Sequence, residues 1–152
     1  MAKVIESMLD FCISFVILLG MMLFYKIPIN RAIVALPVFI LWVVILALGA
    51  GFWASALNVK YRDVTYAIPF LAQIWLYVSP VAYSLSLIPR KWQGIYSLNP
   101  VVGIIECFRW SLLAKEFDFM TVLPVSFIMT LIIFITGVMY FCHTEKTFAD
   151  II

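Results

Sequence analysis

The residues whose types and spacing could do chemistry lie together: Tyr66, Phe70, Gln73, Tyr77, Pro80 and Ser84. At 100° per residue they fall in a stripe about 80° wide on one face of an otherwise apolar helix. Hydroxyls, an amide and ring faces aligned inside a membrane helix suit a conduit for sugars. Aromatic rings stack on pyranose faces while the polar groups exchange hydrogen bonds with hydroxyls. The same alignment suits an interhelical contact with its hydrogen bonds satisfied. Periodicity does not separate the two readings.

Other chemistry is conspicuously missing. The chain has no G-x-x-x-x-G-K-S/T phosphate loop, no G-x-G-x-x-G, no H-E-x-x-H and no paired-carboxylate motif. If ATP is used, another chain binds it, so no cofactor is expected here. Cys12, Cys107 and Cys142 are odd in number, lack C-x-x-C spacing and sit in apolar sequence, which reads as small buried hydrophobes. His143 has no second His or Cys at metal spacing and reads as an interfacial side chain at a helix end. No metal site is expected.

The elements that position these residues follow from composition. Hydrophobic residues make up 66% of the 152 and charged residues 12%. Soluble domains carry about twice that charge, so the chain is an integral membrane protein. Net charge is +2 with no basic run, which gives no sign of nucleic-acid binding. Glu6 and Asp10, with no small-x-small cleavage site, argue against a signal peptide. A charge at the bilayer centre costs about 2.5 to 3.5 kcal/mol, so Lys60, Arg62 and Asp63 must lie at a surface. The apolar runs between charges predict spanning helices at about 7–25, 32–57, 65–88 and 119–142. Asp10, near the start of the first, reads as an interfacial or water-exposed carboxylate.

Within the second span, Ala47, Gly51 and Ser55 recur at i, i+4 and predict a close helix contact, inside the chain or with a second copy. The connection Asn58, Lys60, Tyr61, Arg62, Asp63 is so short that the spans either side must be antiparallel neighbours. It is either a solvated turn or a surface on which Lys60 and Arg62 pair with headgroups or a docked protein. Pro69 and Pro80 each free a carbonyl and bend the third span. Two short helices, about 91–98 and 100–114, come next, broken before Asn99-Pro100 because the residue preceding proline disfavours helical geometry. Glu106 and Arg109 can pair at i, i+3, and Trp92 and Trp110 sit at the polar ends. This pattern predicts a helical hairpin dipping into the membrane from one side; the alternative is an extramembrane cap.

The blocks from Leu57-Asn58-Val59-Lys60-Tyr61-Arg62-Asp63-Val64 through Pro69-Phe70, Gln73-Ile74-Trp75-Leu76, Ser79-Pro80-Val81 and Ile88-Pro89 carry a resemblance. It continues over Trp92, Leu98-Asn99-Pro100, Glu106, Phe108-Arg109-Trp110 and Thr144-Glu145-Lys146-Thr147-Phe148-Ala149-Asp150. Together they closely resemble the ABC-2 type permeases of polysaccharide exporters, which export lipid-linked O antigen, capsular polysaccharide and teichoic acid. The match covers nearly the whole chain in order. It implies an all-α, multi-pass protein of the bacterial inner membrane and no enzyme. It also implies a homodimer docked on two cytoplasmic ABC ATPase subunits that bind ATP and Mg2+, with membrane lipids and a lipid-linked polysaccharide as further partners. Asn58 to Asp63 then becomes a cytoplasmic connection near the ATPase, and Tyr66 to Ser84 a channel face. Trp92, Asn99, Pro100, Glu106, Arg109 and Trp110 belong to gate helices on the external side.

Two departures accompany the resemblance. The family places an amphipathic helix and two further spans before the equivalent of Ser7, so the chain resembles the last four of six spans. The expectation is a fragment, a split gene or a late start, which in isolation would not export. The implied topology also puts Lys3, Lys60, Arg62 and Lys146 inside but Lys26, Arg31, Arg90, Lys91, Arg109 and Lys115 outside, against the positive-inside rule. Other functions are a permease for a drug or lipid and, from Glu106, Glu116 and Asp118 on the outer side, an enzyme acting on a lipid-linked sugar.

Overall fold

The structure, a computed structural model, describes residues 2–27, 31–61, 63–81, 83, 88–113 and 119–149. All elements among them are helical: α1 (Ala2–Phe24), a 3-10 turn (Arg31–Ala35), α2 (Leu36–Lys60), α3 (Val64–Val78), α4 (Arg90–Tyr96), α5 (Pro100–Leu113) and α6 (Phe119–Ala149). Three stretches are long and apolar enough to cross a membrane: Ile5–Phe24, Arg31–Lys60 and Val122–Glu145.

Local chemistry explains the ends. α1 closes with Lys26 at φ 54°. Ile27 N–H donates to Met22 O at 3.0 Å and Lys26 N–H to Leu23 O at 3.2 Å. This pair of bonds satisfies carbonyls that the last helical turn leaves open, and the left-handed residue that makes them possible is here a lysine rather than the usual glycine. Ile27 also packs on Met22, fixing the exit direction. Proline in the first turn starts α2, where a missing N–H costs no helical bond.

α2 and α6 form the spine of the packing. Gly49 and Gly137 bring their backbones together: a methyl group added at Gly137 would lie 2.5 Å from Gly49 O, and one at Gly49 would lie 2.7 Å from Phe134 Cα. Trp53 stacks on Tyr140 beside this crossing, ring centres 4.8 Å apart, and donates its indole N–H to Thr136 Oγ1 at 3.1 Å. Higher on the same pair, Trp42 Nε1 donates to Thr130 Oγ1 at 2.7 Å, and Thr130 Oγ1 donates in turn to Ser126 O at 2.9 Å. In an apolar medium an unmet donor is costly, so both large indoles find partners on the facing helix.

The third helix differs from its expected extent of 65–88. α3 stops at Val78, 15 residues and about 22 Å long, short of the roughly 30 Å of a hydrocarbon core. The reason is Pro80: the residue before proline is driven out of helical geometry, and Ser79 sits extended at φ −87°, ψ 142°. Pro69, by contrast, is accommodated inside the helix. α3 touches the rest of the described chain mainly through α2, and nearly every residue from Thr65 to Val78 is exposed.

Candidate functional site

α5 is the most enclosed short element. Its Val102, Gly103, Ile104, Cys107, Ser111 and Leu112 are buried, and three helices share the task of covering them. Met22 and Phe15 of α1 meet Leu112 and Phe108, and Phe39 and Trp42 of α2 meet Ile104 and Cys107. Val122 of α6 meets Val102. Gly103 lies so close to α6 that a methyl group there would sit 2.5 Å from Ser126 Cβ. Phe11 and Phe108 make an edge contact with ring centres 6.0 Å apart, and Phe11 lies 13 residues, about 20 Å, from the end of α1. α5 therefore runs beside the spans rather than above their ends.

Asn99 starts α5 and does two jobs. Its Oδ1 accepts the Val101 N–H at 3.1 Å, capping the helix in front of Pro100. Its Nδ2 donates to Ser79 Oγ at 2.9 Å, reaching back across the sequence to the break after α3. Along α5, Arg109 pairs with Glu106 at 2.8 Å, with side-chain exposures of 19% and 4%. The same guanidinium donates to Tyr83 O at 2.9 Å and Val81 O at 3.0 Å. A hydrogen bond with Tyr96, and then burial, raise the Tyr83 phenol above its ordinary value. Ser126 Oγ donates to Ser97 O at 2.9 Å, fixing the α4–α5 elbow to α6. The structure thus joins Asn99, Pro100, Glu106 and Arg109 into one polar-edged unit with residues the sequence reading missed: Ser79, Tyr83 and Tyr96. The X-Pro argument that located the break at Asn99 applies equally to Ser79.

The two tryptophans part company. Trp92 is exposed. Trp110, expected at a polar end, instead packs into the cluster of Phe39, Trp42, Ile104 and Cys107, with its ring 6.5 Å from that of Phe39. α5 has the expected extent, but it packs against α2 along its length, so the indole is drawn inward.

On α3, Tyr66, Phe70, Gln73 and Tyr77 share a face, and Tyr66 and Tyr77 are 82% and 79% exposed. Pro80 does not extend this face: it lies past the helix end and is buried. Ser84 lies outside the described residues. At the other end of α3 the connection is shorter than expected, because Asn58 and Lys60 belong to α2. Thr65 Oγ1 donates to Asn58 Oδ1, and Lys60 Nζ stands 5.5 Å from the centre of the Tyr61 ring. Asp63 opens α3 with backbone contacts only, its carbonyl accepting Tyr66 N–H at 3.1 Å. Arg62 lies outside the described residues.

The face of Ala47, Gly51 and Ser55 points away from the rest of the described chain, and a methyl group at Gly51 would meet nothing within 4 Å. The close approach inside the chain belongs to Gly49, two residues off that face, so the intrachain form of that expectation is corrected. A helix apolar all round offers no polar side to show which stripe packs inward.

Cys107 is fully buried beside Glu106. A thiol with no exposed surface is out of reach of the reagent, so Cys107 should resist maleimide at pH 8 in the folded chain and react after denaturation in SDS. Mass spectrometry of the labelled peptide checks this. Among the described residues no His, Cys, Asp or Glu cluster could hold a metal ion.

Comparison with known proteins gives this geometry a context. Residues 2–113 match the family described as ABC-2 type transporter. The chain is 24% identical over 120 residues to the O-antigen export system permease protein RfbA of Klebsiella pneumoniae, covering 77% of this chain and 45% of that protein. It is 25% identical over 108 residues to the RfbA permease of Myxococcus xanthus, covering 70% and 42%. Over 64 residues it is 34% identical to the inner membrane transport permease YadH of Escherichia coli K12, covering 42% and 25%. The chain thus spans less than half the length of these relatives. No solved structure matches it. With the family match reaching across α1 to α5, the chain belongs to the ABC-2 type transporter family: it is a multi-pass helical protein of the bacterial inner membrane, from a family of transporters rather than of enzymes.

Proposed function

We propose that this chain serves as the membrane permease of an ATP-driven exporter that carries polysaccharide, as O antigen, capsule or another lipid-linked glycan, across the cytoplasmic membrane. The observation that carries the reading is the exposed face of Tyr66, Phe70, Gln73 and Tyr77 on a helix that little else covers. In a chain whose relatives are named for O-antigen export, rings and an amide on one side of a membrane helix match a sugar better than they match lipid tails. A second copy of the permease would face this surface and enclose the path. ATP and Mg2+ would be handled by an ABC ATPase at the Lys60–Asp63 side, and α4 and α5 would border the outer exit.

Tyr66→Ala and Tyr77→Ala should each slow export about tenfold, equivalent to ~1.4 kcal/mol, while membrane insertion stays normal. Surface glycan measured by immunoblot in cells carrying each variant checks this; full export by both would remove the channel face. The similarity to YadH, whose name specifies no sugar, favours a second reading, a permease for a drug or lipid. Neighbouring glycosyltransferase genes, or a partner ATPase with a carbohydrate-binding extension, would select the glycan.

A further inference from the structure

The chain leaves helical geometry at Ser79, and one side chain from another helix gathers the backbone that follows. Arg109 uses separate nitrogens for separate carbonyls: Nη1 reaches Tyr83 O at 2.9 Å and Nη2 reaches Val81 O at 3.0 Å. Nη1 also donates to Glu106 Oε1 at 2.8 Å. Two carbonyls two residues apart demand a rigid fork, which guanidinium has and ammonium lacks. Ten residues earlier on the same stretch, Asn99 Nδ2 holds Ser79 Oγ at 2.9 Å.

We propose that Arg109 is a positioning residue whose working contacts are the carbonyls of Val81 and Tyr83, fastening the far end of α3 to α5, with Glu106 serving to orient the guanidinium. α3 packs mainly on α2; the bonds from Arg109 and Asn99 add a tie to α5, so that α3 and α5 shift together. Under the export reading the sugar-facing side of α3 then follows α5. The fastening itself is independent of what is exported.

The test is hydrogen exchange by mass spectrometry on the membrane-inserted chain in lipid nanodiscs, which involves no export and so separates this proposal from the transport reading. In Arg109→Gln, peptides covering 79–83 should exchange about tenfold faster or more: the lost bonds are to carbonyls, so the effect comes through freer opening of the segment, which exposes the Ser79 N–H held by Trp75 O and the Val81 N–H held by Ser79 O. Peptides from α2 and α6 should be unchanged. The charge swap Glu106→Arg with Arg109→Glu should not restore protection, because a carboxylate at position 109 cannot donate to carbonyls. Arg109→Lys, the mildest variant, keeps the charge and should still leave 79–83 faster than the wild type. Wild-type protection in Arg109→Gln or Arg109→Lys, or recovery in the swap, would overturn the proposal. So would acceleration spread evenly over α2 and α6, since that marks a general loss of packing.

Discussion

Gly137→Val should lower the stability of the folded chain by about 3 kcal/mol, at the upper end of what overpacking a closed contact costs. The first added carbon would lie 2.5 Å from Gly49 O and 3.0 Å from Trp53 Cδ1. A backbone oxygen in a helix cannot swing aside as a flexible side chain can, so α2 and α6 must separate. Separation also loosens the Trp53–Tyr140 stack and the Trp53–Thr136 hydrogen bond. Thermal unfolding in detergent should show a midpoint lower by on the order of ten degrees. Gly51→Ala is the matched control: with nothing within 4 Å, it should be neutral or gain up to about 1 kcal/mol from helix propensity. Equal midpoints for both variants would mean that the Gly49–Gly137 crossing does not govern stability.

The second large effect is expected at Trp42. This indole is almost fully buried and meets Phe127 edge-on with ring centres 5.5 Å apart. It also packs with Phe39, Ile104 and Cys107. Trp42→Ala should cost about 3 to 5 kcal/mol. In a bilayer little of this is transfer free energy, because lipid tails are as apolar as the pocket; lost packing contacts dominate. Trp42→Phe separates the parts. It keeps an aromatic ring in the site while giving up the N–H to Thr130 and part of the indole's volume; the Thr130 hydroxyl still donates to Ser126 O. About 0.6 kcal/mol is expected for such a bond within a membrane. A denaturant series on the two variants distinguishes them, and a cost for Trp42→Ala no larger than for Trp42→Phe would refute the packing account.

Much of the architecture could be read in the sequence because charge in a bilayer is expensive. Lys60 with Asp63, and Tyr25 with Lys26, bracket helix ends that the structure places within a few residues. The cap at Asn99-Pro100 was legible for a different reason, since proline both forbids helix before it and starts helix after it. The same rule read at Ser79-Pro80 shortens α3, yet the unbroken apolar run to Pro89 hides it, because hydropathy reports solvent preference and not backbone geometry. What the sequence could not disclose was which stripe of α2 faces α6. Ala47, Gly51, Ser55 and Gly49 are all small, and in lipid an apolar residue is equally at home packed or exposed. Nor does any local pattern announce that Arg109 serves carbonyls 26 and 28 residues away.

The partnership between Trp42 and Thr130, 88 residues apart, has a consequence for how the protein is made. At a synthesis rate of about 5 to 20 residues per second, α2 waits roughly 4 to 18 seconds in the bilayer before its principal neighbour leaves the ribosome. During that interval its indoles and its glycine crossing have no α6 to meet, and lipid or insertion machinery must shield them. α5 emerges earlier and already fits against Phe39 and Trp42, so it can hold the site open for the last helix. A nascent chain arrested before residue 122 would present that unfinished surface, a natural mark for membrane quality control.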